Sequence, residues 1–356
     1  MKRSLDIDTS EEASGHKRPR RQTSHKDRSQ GPNTGAEDSG LVRDKEFWYE
    51  DGSVVLVAGN VGFRVYRGLL VRRSEVFSDL FSVPQPQDSQ LVCGCPVVHL
   101  SDTPDALREV LGVLLCGKKY IQKNDIELDR LSYRIRLAHK YGIEDLLDES
   151  IQQLRQLFPA NFASWRATGR HYTSRGITAV NLARLTNTQS VLPTALYVCC
   201  QLSDRALLEG AAHPDGTTDE LSRDDLLRCM AAKSLLGRTH VHGIHTLLHH
   251  IGSFVQGCRS QPSCCRAFDR MRHTATTRSL DVATPIDILD TWDDLLDKYD
   301  RTKVGGNALV SLCECCMTNL RERVFATICT RWASLPGLVD AWKDKVAEEN
   351  GDPEIE

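Results

Sequence analysis

Between residues 51 and 81 the chain sets out a turn, two short strands and two short helices in close succession, and few folds accommodate that order. Asp51-Gly52-Ser53 supplies the turn, and Val54-Val55-Leu56-Val57 follows as a β-branched apolar run of the kind that forms a buried strand. Beyond Asn60-Val61-Gly62, Phe63-Arg64-Val65 gives a second, shorter strand signal. From Arg67-Gly68-Leu69-Leu70 the apolar spacing becomes helical, and Ser74-Glu75-Val76-Phe77-Ser78-Asp79-Leu80-Phe81 continues it. Pro84-Gln85-Pro86-Gln87-Asp88 interrupts the pattern as a loop, and Val97-Val98-His99-Leu100 reads as a third strand. Ser101-Asp102-Thr103-Pro104 is a helix start, with a capping side chain and an early proline.

Three amphipathic helices are expected next. Leu107, Val110, Leu111, Leu114 and Leu115 share one face, as do Leu128, Leu131, Ile135 and Ala138. Ile143, Leu146, Leu147, Ile151, Leu154 and Phe158 form the third face; Gly142 precedes it and Pro159 ends it. A small sheet with a cluster of helices is an α+β domain, placed at residues 46–158 with Phe47-Trp48-Tyr49 leading into the first strand.

Residues 1–42 are polar and charged with almost no aliphatics, too little apolar area to offset the entropy of ordering, so a disordered tail is expected. It holds Lys17, Arg18, Arg20 and Arg21 around Pro19, a basic cluster that reads either as a nuclear-import signal or as a solvated charge run. Residues 159–345 read as a mostly helical domain and 346–356 as a flexible tail. Apolar blocks fall at Ile177 to Leu185, Leu192 to Leu202, Leu226 to Leu236 and Ile244 to Phe254, punctuated by Pro193, Gly210, Pro214-Asp215-Gly216 and Gly237. A last helix carries Val324, Phe325, Ile328 and Trp332 and is expected to stop before Leu335-Pro336-Gly337.

The 356 residues carry a formal net charge of −3, which offers no basic field for nucleic acid. No apolar run is long enough to span a membrane, and the first residues lack a secretory signal. Thirteen cysteines in such a chain are expected to be reduced thiols in an intracellular protein.

Cysteine spacing is the strongest chemical signal. Cys313-x-x-Cys316 lies downstream of Cys258 and Cys264, and four sulfurs of this kind can hold a structural zinc ion in a tetrahedron. Thiols packed between helices and a dithiol redox pair are the competing readings. His240, His242, His245, His249 and His250 cluster nearby, with His245 and His249 four residues apart. Without a glutamate after His245 they read as helix-surface histidines rather than a metal site. Gly112 to Lys118 has the skeleton of a phosphate-binding loop, but Lys119 stands where the magnesium-binding hydroxyl belongs, and Gly112 lies in the expected Leu107–Leu115 helix. Gly117 is better placed as that helix's cap. No catalytic motif emerges, and an enzyme is not expected.

The turn at Asp51-Gly52, the Phe63-Arg64-Val65 strand and the Ser74, Phe77, Phe81 helix resemble a BTB/POZ domain. Tyr66 and Arg67 depart from that family, which commonly has His and Lys there. The phrases Val180 to Thr186, Val191 to Tyr197, Cys199 to Leu202, Cys313 to Cys316 and Trp332 to Trp342 resemble the C-terminal half of a group of fungal BTB-domain proteins. The resemblance implies a protein-interaction module without catalysis that forms a homodimer. Its interface would involve the first helices and an N-terminal element, here Phe47, Trp48, Leu69 and Leu70, with Phe77 and Phe81 more readily placed in the core. A cullin-type ubiquitin-ligase scaffold is an alternative partner, and a nuclear regulator acting through protein contacts is a third reading.

Overall fold

The computed structural model describes residues 40–83, 90–117, 120, 127–168, 172–249, 257–258, 260–279, 286–304 and 310–349, with backbone only at 249, 304 and 340–349. The chain divides into two units, Met1–Ser39 and Gly40–Glu356, and every element named here belongs to the second. The basic cluster Lys17, Arg18, Arg20 and Arg21, the loop at 84–88 and His250 lie outside the described residues.

Five strands form one sheet: β1 (Val42–Trp48), β2 (Val54–Ala58), β3 (Val61–Val65), β4 (Leu91–Val92) and β5 (Cys95–Leu100), in the order β1-β3-β2-β5-β4. The apolar run around Val54 takes the central position because both its faces are covered. Val54, Leu56 and Ala58 enter the core beneath the helices. Val55 and Val57 meet Cys95, Leu41, Trp48, Val92 and Val97 on the opposite face. β2 turns back into antiparallel β3 across Gly59-Asn60, where Gly59 takes a φ of 56°. On its other side β2 runs parallel to β5, from Val55 opposite Val97 to Ala58 opposite Leu100.

β1 is a strand that the residue pattern did not announce. It lies parallel to β3, and its mostly polar sequence carries only Phe47 into the core. A buried carboxylate fixes its end instead. Asp44 Oδ1 accepts the backbone N–H groups of Glu46 (3.0 Å) and Phe47 (2.9 Å), and Oδ2 accepts Arg108 Nε at 2.9 Å. Val42 therefore sits in a strand, although residues 1–42 read by composition as tail.

Helices α1 (Arg67–Arg73), α2 (Glu75–Ser82), α3 (Pro104–Cys116), α4 (Leu128–Tyr141) and α5 (Glu144–Leu157) complete this half. Ser74 starts α2: its hydroxyl accepts the Phe77 N–H at 3.0 Å and donates to the Tyr141 carbonyl at 2.5 Å, so one side chain caps one helix and pins it to another. Thr103 caps α3 through the Ala106 N–H, and Gly142 closes α4 in the left-handed conformation, φ 61°. Gly112 is inside α3, and Gly117 caps it, donating its N–H to the Val113 carbonyl.

The rest of the described chain is helical apart from the small hairpin β6 (Ala211–Ala212) and β7 (Thr218–Asp219). Its helices are α6 (Phe162–Ala167), α7 (Arg175–Leu185), α8 (Leu192–Cys200), α9 (Asp204–Glu209), α10 (Arg223–His249), α11 (Gln261–Ser279), α12 (Asp293–Asp297), α13 (Arg301–Val304) and α14 (Glu314–Glu349). Two expected breaks do not occur. α10 runs unbroken through Gly237, and α14 runs through Pro336 and Gly337. Burial of Leu236, Ile244, Leu335 and Val339 offsets the weak helix propensity at these positions.

The two halves share a core, in which Leu131 and Ile135 of α4, Leu154 of α5 and Phe158 just after it join residues of α7 and α8. A polar seam lies beside it. His213 places Nδ1 2.7 Å from Asp129 Oδ1 and Nε2 2.8 Å from Asp219 Oδ2, while Arg175 pairs with Asp129 and Arg136 with Asp219 at 2.6 Å.

Candidate functional site

Two features could carry function: an apolar face on the α1–α2 hairpin and a cluster of four cysteines in the helical half. The first follows from the amphipathic pattern. α2 buries Phe77 and Phe81, and Phe77 stacks on Tyr141 with ring centroids 4.5 Å apart. Beside that buried pair α2 leaves Val76 (41%) and Leu80 (37%) exposed, and Leu69 of α1 (44%) and Val83 just after α2 (62%) are exposed as well. Val76 and Leu80, four residues apart, lie on one helix face.

The residues expected at an interface divide. Phe47 and Leu70 are fully buried in the core of this half, and Leu69 is exposed. Trp48 is half-buried against Val55 and Val57, with the Arg43 guanidinium 4.8 Å from its ring centroid. Its indole N–H is buried without a hydrogen-bond partner among the described residues. Val76, Leu80 and Val83 were missed by sequence reasoning, because Val76 and Leu80 sit next to Phe77 and Phe81 in the same apolar helical run.

The departures from the family pattern have local partners. Tyr66 donates its hydroxyl to Asp51 Oδ1 at 2.7 Å, closing the turn before β2 onto the end of β3. Arg67 donates to the Phe81 carbonyl at 2.7 Å, and its guanidinium lies 5.2 Å from the Phe81 ring centroid, so a cation sits at the C-terminal end of α2.

The second feature gathers Cys258, Cys264, Cys313 and Cys316, whose sulfurs all lie within 4.8 Å of one another. Cys258 follows α10, Cys264 is in the first turn of α11, and Cys313 and Cys316 bracket the start of α14. The Cys258 and Cys313 sulfurs are 3.9 Å apart, and the Cys313 N–H donates to Cys264 Sγ at 3.3 Å. Burial pushes the Cys313 thiol up, but the Cys316 N–H and the thiols of Cys316, Cys264 and Cys258 outweigh it and bring the group down to about 7. Burial raises Cys264 to about 11 and also raises Cys316. One sulfur of the four is thus set up to ionise first. Ligand bonds of ~2.3 Å in a tetrahedron place sulfurs ~3.8 Å apart, so the cluster can hold a metal ion after a small contraction.

The other chemical groupings do not converge in this way. Thr246 donates its hydroxyl to the His242 carbonyl, the His240 ring is shifted towards its neutral form by burial, and the side chain of His249 is not described. A second thiol group, Cys199, Cys200 and Cys229, is buried, and the Cys199 and Cys200 thiols lower Cys229 to about 5. No described helix is long and apolar enough to cross a membrane.

Comparison with known proteins agrees with the first half of this description. The family model for the BTB/POZ domain matches residues 49–157, from the turn before β2 to the end of α5. Neither the curated proteins nor the solved structures give a match. The five-stranded sheet, the Ser74-capped hairpin and the following helices therefore agree with a BTB/POZ domain at residues 49–157, and the described chain beyond it is mostly helical.

Proposed function

We propose that this protein is an interaction module without catalysis, which associates with a second copy of itself through the α1–α2 hairpin of its BTB/POZ domain and recruits a further protein. The observation that carries the reading is the exposed apolar set Leu69, Val76, Leu80 and Val83 on a domain whose family works by protein contact. The working boundaries are the BTB/POZ domain at 46–158, preceded by the rest of β1 from Val42, and the helical domain from 159, whose last helix α14 runs past 345 to Glu349. A structural zinc ion at Cys258, Cys264, Cys313 and Cys316 is the cofactor, and Trp48 contributes its accessible edge to the dimer.

Light scattering of the full chain at micromolar concentration tests self-association. A dimer is expected, and Leu69→Asp combined with Val76→Asp should give a monomer with unchanged circular dichroism. A wild-type monomer would overturn the reading. The alternative is a substrate adaptor in which the same domain binds a cullin-type scaffold. Its support is the helical half that follows the BTB/POZ domain in the same chain. Binding of purified scaffold to the full chain, measured by calorimetry, decides it. A nuclear regulator is the third reading and rests on Lys17, Arg18, Arg20 and Arg21. Nuclear enrichment that survives changing all four to Ala would remove the import role.

A further inference from the structure

We propose that Cys258, Cys264, Cys313 and Cys316 bind one zinc ion in a closed, four-thiolate site, and that this ion clamps the α10–α11 junction and the start of α11 onto the start of α14. The inference deepens the zinc reading of the cluster and rests on it.

The residue chemistry selects the metal. Four sulfurs and no carboxylate suit a borderline-soft ion and disfavour calcium or magnesium, which require oxygen. Four ligands leave no open position, as in a structural rather than a catalytic zinc site.

The surroundings answer the charge problem. A zinc ion with four thiolates carries two excess negative charges, which need nearby donors when buried. Two helix N-termini supply them. Cys264 lies in the first turn of α11 and Cys316 in the first turn of α14, both placed in the positive end of a long helix. The Cys313 N–H donates to Cys264 Sγ at 3.3 Å, the kind of outer-shell hydrogen bond that orients and stabilises a ligand.

The two ligand-bearing segments are also braced beside the cluster. Arg301 donates to Ser311 Oγ at 3.2 Å and to Ser260 Oγ at 3.3 Å, and Ser263 donates to the Ser311 carbonyl at 3.2 Å. Arg301 thus bridges the two segments of chain that carry the ligands.

A dithiol redox pair fits less well. Cys313 and Cys316 are both buried, and thiol–disulfide exchange needs an accessible attacking sulfur. Cys258 is the half-buried member of the four.

Metal analysis of the full chain, purified without chelator, tests binding. About one zinc per chain is expected, as is a tetrahedral thiolate spectrum after cobalt(II) exchange. Cys258→Ser should lose metal, whereas Cys265→Ser, an exposed neighbour outside the cluster, should keep it. Hydrogen exchange before and after chelation tests the clamp. Protection is expected to fall in the first turns of α11 and α14 and to hold in α1–α5. Less than about 0.2 zinc per chain would overturn both the zinc reading and the clamp. A full zinc complement with unchanged protection on chelation would overturn the clamp alone.

Discussion

Glu109 and Arg134 face each other at 2.6 Å inside the BTB/POZ core, with side chains 3% and 2% exposed, and Arg130 adds a second contact to the same carboxylate at 2.7 Å. A pair buried to this degree contributes little net stability over apolar residues of the same shape, but breaking it leaves a cation in the core. Glu109→Ala should therefore destabilise the protein by about 3–5 kcal/mol in urea unfolding. A loss below ~1 kcal/mol would show that Arg134 finds solvent or another partner. Little in the residue pattern warned of this pair, because Glu109 and Arg134 lie on separate helices and look like surface charges. Thr103 was more legible, since a hydroxyl before an early proline and an apolar helical run has a local reason to be there.

Elements show the same division between local and distant causes. The buried strand at Val54–Val57 and its parallel neighbour Val97–Leu100 were readable from composition and lie side by side in the sheet. β1 was not, because a carboxylate and a parallel partner hold it rather than an apolar period. The expected breaks in α10 and α14 failed for a related reason, since long-range packing overrides local propensity. Gly243 illustrates the packing. A Cβ there would lie 1.5 Å from Arg331 Nη2, and Arg331 is held by the carbonyls of Ile288 (2.8 Å) and Thr239 (3.3 Å). Gly243→Ala should destabilise by about 1–3 kcal/mol despite alanine's better helix propensity. A gain in melting temperature would contradict this close α10–α14 approach.

The β6–β7 hairpin makes a pH prediction at the same scale. Burial would raise Asp219, but Arg136 and the hydrogen bond from His213 outweigh it and hold the group below the usual carboxylate range. A depressed carboxylate stabilises the fold above its unfolded value of about 3.9, and that contribution is lost as pH falls through the folded value. Stability measured by denaturant titration should therefore drop below about pH 4, and less steeply in Asp219→Asn. An identical acid profile in the two proteins would remove Asp219 from the explanation.

For the whole molecule, the BTB/POZ domain was legible because its turn, strands and capped helices repeat a local order that one fold satisfies. The site was partly legible. Spacing named the four cysteines, and the fold brings all four together across two helix starts. The exposed α1–α2 face was visible only in part, since Phe47 and Leu70, which look suited to an interface, fill the core instead. What remains accessible is small and apolar, and a second copy of the same face would cover it by two-fold symmetry. The molar mass of the full chain in solution, measured by sedimentation equilibrium at micromolar concentration, tests this most directly. The expected result is twice the mass of one chain, falling to a single chain in the Leu69→Asp, Val76→Asp variant; a wild-type protein that sediments as one chain would contradict it.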